Sequence, residues 1–292
     1  MVTPPETCDD GNRMAGDGCD AMCRREAVAL TTFRFTDMDI EDPHLFANIL
    51  GCNDVTDSVF GIDGVNPLLQ TNIQTDGDDP ADGMLDLSLV QVFAPLSQAA
   101  GTTSPTRVTF PDCTTPFSAP ACTLPAAGDR TMTVDATAMG GGAVCLGTVP
   151  MTTRYTFPLP TAPTGGTCYV ASAGTITIDL DGILITLNDA SIGGEFFGTP
   201  ATEIRDGLIR GFISYADAAA TIIPEGTTDI DAIDGSPLSS LLRTTSTGGT
   251  TPGACGSSMR ASDLDVGVDG TTPGWWFYLS FRASPPASYT EM

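Results

Sequence analysis

From about Ala29 onward the apolar residues fall into short runs, many alternating with polar ones and separated by Gly, Pro, Asp and Thr. A period of two is the mark of strands with one buried face. Residues 30–40 (LTTFRFTDMDI) predict the first strand. Residues 84–94 predict another, with Leu85, Leu87, Leu89 and Phe93 on one face. Further candidates lie at 106–110, 131–137, 190–198 (ASIGGEFFG), 207–214 (GLIRGFIS) and 274–283 (GWWFYLSFRA). Residues 175–187 (TITIDLDGILITL) read as two alternating runs joined around Asp181 and Gly182, a hairpin. Helical signals are short: 62–73 with Pro67 near the first turn, the alanine-rich 215–224, and a turn or two at 237–242. The pattern predicts an all-β protein, an antiparallel β-sandwich or jelly-roll-like body with a few short helices, a closed barrel being the alternative. No repeat of fixed period argues for a propeller or solenoid.

Charge narrows the classes of partner. The 292 residues carry 36 acids and 12 bases, a formal net charge of -24. Lysine is absent and His44 is the single histidine. No Schiff-base lysine, P-loop lysine or His-rich zinc site can therefore be built. Binding nucleic acid through its phosphates is excluded in practice by the charge. Glutamate occurs only at positions 6, 26, 41, 195, 203, 225 and 291, so the acidity is mainly aspartate, a residue of turns and of calcium loops. No run of about 18 apolar residues predicts a transmembrane helix.

The nine cysteines lack any CxxC pair, and several lie in polar or Pro-rich loops, which fits disulfides in an oxidising compartment better than zinc. Cys113 and Cys122 read as one bridge, Cys145 and Cys168 as a second, Cys52 and Cys255 as a third. Residues 7–26 read TCDDGNRMAGDGCDAMCRRE. With Glu6, Cys8, Asp9, Asp10, Gly11 and Asn12, then Gly16, Asp17, Gly18, Cys19, Cys23 and Glu26, this segment resembles the myxobacterial cysteine-rich repeat, truncated at its N-terminus. The GDGCD run also resembles Notch-type calcium-binding repeats. The chain divides on this reading into a partial repeat at 1–27 and a β-rich body at 28–292, and the body resembles uncharacterised exported proteins of the same bacterial group. Twenty residues bury little core, so the module needs a staple. A Cys8–Cys23 bridge would close a loop of about 15 residues, worth roughly 3 kcal/mol. One thiol among Cys8, Cys19 and Cys23 is then expected to be unpaired. The resemblance implies export and no catalytic activity. The start, MVTPPETCDD, has no basic cluster or apolar stretch of a leader, so the expectation is a protein of the extracellular space or cell envelope whose leader is missing from this chain.

Two loops share the spacing D-x-D-x-x-x-D-G: Asp76, Asp78, Asp82, Gly83, and Asp263, Asp265, Asp269, Gly270. Alternating carboxylates in a loop suit the six to eight oxygens of Ca²⁺. The first, extended to Asp86, resembles an EF-type loop with Pro80 at one position and no closing glutamate. The candidate calcium ligands are thus Asp76, Asp78, Asp82 and Asp86; plain solvated turns are the competing reading. Glu195, beside Phe196 and Phe197, is a candidate glycosidase acid or an exposed strand glutamate. His44 reads as packed or capping, since no GxSxG accompanies it. Trp275, Trp276 and Tyr278 read as core and surface alternating on a final strand, or as sugar-stacking rings. The expected function is non-catalytic binding or structural work at the cell surface or in the matrix, with an unknown glycan or protein as partner. A secreted glycan hydrolase or a carrier of an apolar ligand stands as the alternative.

Overall fold

The computed structural model describes residues 29–78, 80–125, 132–146, 159–172, 174–180, 183–224, 233–242 and 264–291, with the backbone alone at 52, 132, 133, 179 and 180. The partial repeat at 1–27 lies outside these residues, as do Cys255, Asp263 and the hairpin turn at 181–182. In chain order the elements are β1 (Thr31–Asp42), β2 (Phe46–Asn48), β3 (Cys52–Asp54), β4 (Ser58–Val59), β5 (Ile62–Asp63) and α1 (Val65–Gln74). Then come β6 (Val90–Phe93), β7 (Thr103–Thr109), β8 (Asp112–Cys113), β9 (Ala121–Leu124), β10 (Met132–Met139), β11 (Cys168–Ser172) and β12 (Thr175–Leu180). The chain continues with β13 (Ile183–Phe197), β14 (Glu203–Ser214), α2 (Tyr215–Ala220), a 3-10 turn (Leu238–Ser240), β15 (Asp265–Val266), β16 (Pro273–Ser284) and β17 (Ser288–Glu291).

The body is all-β, antiparallel sheets packed together as a sandwich-like core. Its main sheet runs β1-β6-β7-β10-β11-β13-β14-β16, and β16 pairs back onto β1. Among the described residues the eight strands therefore form a closed antiparallel ring in chain order. β12 continues β11 along the same edge of β13. Because neighbours are antiparallel, the connections alternate between two ends. One end receives the long insertions: β2 to β5 with α1, the excursion through β8 and β9, and α2 with the 3-10 turn. The other has the short β6–β7 and β13–β14 connections and the longer β10–β11 connection, 140–167, part of which lies outside the described residues.

Alternation explains the filling. Phe33 and Phe35 of β1, Phe93 of β6, Tyr169 of β11, Ile192 and Phe196 of β13, Ile209 of β14, and Phe277, Leu279 and Phe281 of β16 all belong to one buried cluster inside the ring. An eight-strand ring has an interior about as wide as its own side chains. The outer face is also covered in part. Leu146, Leu208, Phe212, Trp276 and Tyr278 form a second cluster there. β17, β9 and β8 make a small sheet whose Cys113, Cys122 and Leu124 pack on Val90 and Val92. Trp275, Trp276 and Tyr278 are all buried, which removes them as sugar-stacking rings: β16 is a central strand with packing on both sides.

Residues 84–89 depart from the expected strand. Leu85, Leu87 and Leu89 are buried, but only Val90–Phe93 pairs in the ring. The Leu85 N–H donates to Cys113 O (2.8 Å) and the Leu87 N–H to Asn72 O (2.9 Å), so these backbone groups are spent on the hairpin and on α1. The α1 helix begins at Val65, two residues before Pro67. The α2 helix is shorter than the alanine-rich stretch; Ser214 caps it, accepting from the Asp217 N–H.

Arg34 is a buried cation on the outer side of β1. Its guanidinium donates to the carbonyls of Phe35 (3.2 Å), Ile73 (3.5 Å) and Phe117 (3.1 Å) and lies 4.5 Å from the Phe117 ring centre. Burial lowers its pKa to about 10. The Ile73 carbonyl is at the C-terminal end of α1, where the helix dipole favours a cation. One side chain thus pins β1, α1 and the β8–β9 hairpin together.

Gly207 shows how tightly the ring is filled. A Cβ there would lie 2.5 Å from the Phe281 ring, which stacks on Phe35 with centres 4.3 Å apart. We predict that Gly207→Ala lowers stability by about 1–3 kcal/mol through overpacking, measured by urea unfolding; an unchanged midpoint would refute this packing.

Candidate metal centre

Helix α1 ends at Gln74, and the acidic loop starts within two residues of it. The last turn of α1 contains no basic residue of its own, and the cation at this helix end is Arg34 of β1, on the Ile73 carbonyl. The Thr75 N–H caps back onto Thr71 O (2.9 Å). From there the chain makes an excursion over 76–85 and returns: the Asp86 N–H donates to Thr75 O (3.1 Å), and the Gly77 N–H to both carboxylate oxygens of Asp86 (2.9 and 3.0 Å). The approach is close: a Cβ at Gly77 would stand 2.9 Å from Asp86 Oδ2, so a larger residue there would shift that carboxylate.

The result is a triad. Asp76, Asp78 and Asp86 each place a carboxylate oxygen so that all three lie within 4.8 Å of one another. Two oxygens bound at about 2.4 Å on opposite sides of one Ca²⁺ would be about 4.8 Å apart. Asp76 accepts from the Gly83 N–H through Oδ2 (2.6 Å), while its Oδ1 is buried without a hydrogen-bond partner. Such an atom costs free energy unless a cation or water meets it. The triad could hold a metal ion through hard oxygen ligands.

Asp82 is the exception among the four expected ligands. It is not part of the triad; its Oδ1 accepts from the Met84 N–H (2.8 Å) in an Asx turn. The spacing had pointed to Asp82 because a regular loop would keep alternate carboxylates on one side. Asp86, also expected from the sequence, joins Asp76 and Asp78 because its segment returns to the end of α1. The second acidic loop behaves as a turn: Asp269 accepts from the N–H groups of Thr271 and Thr272 (2.9 Å each) and from the Thr272 hydroxyl. These bonds, that of the Thr272 hydroxyl first, hold its carboxyl below the ordinary range. Its oxygens are committed to the chain itself.

The loop is tied to a disulfide. Cys113 and Cys122 are bonded, with Cα atoms 4.1 Å apart, and sit opposite one another on β8 and β9. The Leu85 N–H bonds Cys113 O, and the Thr115 N–H bonds Gly83 O (2.9 Å). Cys145 and Cys168 are likewise bonded, Cα to Cα 5.8 Å, anchoring the β10–β11 connection to β11. Both expected bridges are present. The Cys52–Cys255 and Cys8–Cys23 pairings fall outside the described side chains.

The other candidates separate. Glu195 is half-buried on the outer side of β13; burial and then the charge of Asp206 raise its carboxyl pKa, against a hydrogen bond from the Thr161 backbone. His44 is not packed: it is half-exposed, with Nδ1 2.6 Å from Asp54 Oδ2. No protein-family model, curated protein or solved structure matches the chain.

For His44, burial lowers the pKa, but the hydrogen bond and charge of Asp54, with Asp57 and Asp42, outweigh it, and the net shift is upward. The pair therefore adds stability below pH of about 6.5, and this is lost as pH rises through the raised value. Since the chain has one histidine, its NMR titration is a single curve. We predict a midpoint above about 6.5 that falls in Asp54→Asn; equal midpoints in both proteins would disprove the pairing.

Proposed function

We propose that the protein is an exported, non-catalytic binding or structural module of the cell surface or extracellular matrix, held by disulfides and by one Ca²⁺ at Asp76, Asp78 and Asp86. The observation that carries this reading is the joining of the carboxylate triad to the Cys113–Cys122 hairpin by backbone hydrogen bonds. Disulfides belong to oxidising compartments, and calcium at high free concentration is available in the same places. The resemblance of residues 6–26 to an exported cysteine-rich repeat supports the same location. All three ligands are carboxylates, a set that favours a hard cation over zinc, and backbone carbonyls and water would complete the shell. A surface glycan or protein is the expected partner.

A glycan hydrolase is the second reading, favoured by the raised carboxyl of Glu195 beside Asp206. It predicts turnover of a polysaccharide that Glu195→Gln abolishes. A carrier of an apolar ligand is disfavoured, since aromatic side chains fill the described interior of the ring.

Calcium at a hundredfold excess over its Kd should add about 2.7 kcal/mol, roughly 5–10 °C in Tm. We predict this rise over a sample in chelator, its loss in the double variant Asp76→Asn with Asp86→Asn, and a lower Tm on reduction of the disulfides. Identical melts in calcium and chelator would overturn the metal reading.

A further inference from the structure

The end of the ring opposite the large insertions opens into a groove of about 910 Å³. That volume lies inside the range of about 300–1,000 Å³ usual for ligand sites, and barrel mouths are a common place for them. Three segments build it: Leu96–Ala99 between β6 and β7, Pro163–Thr167 between β10 and β11, and Phe196–Pro200, the end of β13 and the turn that follows it. Its base is firm. Phe196 is buried and packs on Tyr169 (ring centres 5.0 Å apart) and Phe93 (5.6 Å), the aromatic plug of the ring. Two walls are bolted together by Gln98, whose Nε2 donates to Gly198 O and whose Oε1 accepts from the Ala201 N–H, both at 2.9 Å. Such fixing in advance reduces the ordering cost of binding.

The chemistry of the walls is selective. None of the fourteen described lining residues carries a charge, on a chain whose net charge is -24. Phe197 is 48% exposed at the groove. Arg205, which does not line it, stacks on the Phe197 ring at 3.4 Å and is itself paired with Glu203 (2.8 Å), so the support behind the ring is neutral in sum. The lining also includes Thr164, Thr167 and Thr199, small hydroxyl residues. A charged ligand finds no counter-charge here, and a lipid finds no continuous apolar wall. A neutral oligosaccharide has what the groove takes: C–H faces for aromatic rings, hydroxyls for threonine and main chain, and no charge.

We propose that this groove is a binding site for a neutral oligosaccharide. The proposal rests on the binding-module reading above and names its ligand class and place. The full chain is titrated calorimetrically with neutral hexasaccharides of glucose, mannose and xylose, with an oligogalacturonate, and with a proline-rich peptide. At least one neutral sugar is expected to bind with Kd of about 1 mM or tighter. Phe197→Ala, and Ala99→Trp to fill the groove, should each weaken it at least tenfold, with Tm unchanged. A sugar whose binding neither variant alters overturns the groove while leaving the binding-module reading in place. A preference for the galacturonate or the peptide overturns the neutral-sugar assignment. Binding of nothing in the panel overturns the proposal, and the calcium melt then judges the parent reading separately.

Discussion

The pairing of β1 with β16 joins residues as far apart in the chain as Arg34 and Ser284, and it turns a meander into a ring. Without it the sheet would present two long free edges, which invite pairing with other chains. With it, every one of the eight strands has two neighbours, and one set of side chains is enclosed. The demands on β16 follow. It lies between β1 and β14, faces the filled interior on one side and the outer cluster on the other, and so carries aromatic or aliphatic residues at nearly every position from Trp275 to Phe281.

Closure also sorts the molecule into two working ends. Long connections can hold structure of their own, so the insertion-bearing end carries α1, the acidic loop and the disulfide hairpin. There, beside the C-terminal end of α1, three carboxylates converge into a cluster that could hold a cation. At the opposite end three connections leave a groove over Phe196 whose described lining is uncharged. The two ends are chemically unlike although one chain of strongly acidic composition supplies both.

Much of the fold was legible along the chain. Strands at 30–40, 207–214 and 274–283 coincide with β1, β14 and β16, and the cysteines at 113, 122, 145 and 168 paired as their spacing suggested. Most of the candidate site was legible: Asp76, Asp78 and Asp86, named from the acidic loop, are the three that converge. That Asp82 stands apart depends on an Asx turn, and the position of Asp86 on a hydrogen bond to Thr75. Of the strand expected at 84–94, Val90–Phe93 pairs in the ring as β6, while 84–89 does not, because its backbone partners come from α1 and β8, elements that no local pattern places beside it. The groove left no signal in advance, because threonine, glycine and proline in three separate connections read only as turns.

Local chemistry was settled by the order of residues alone: period-two runs make strands, aspartate and glycine make turns, and cysteines close in sequence make short disulfide loops, since each acts over a few residues. Which carboxylates converge, whether the sheet closes, and which side chains face one another across the mouth were settled in three dimensions. Those outcomes depend on pairings between distant strands, and the free energy of such pairings belongs to the packed whole.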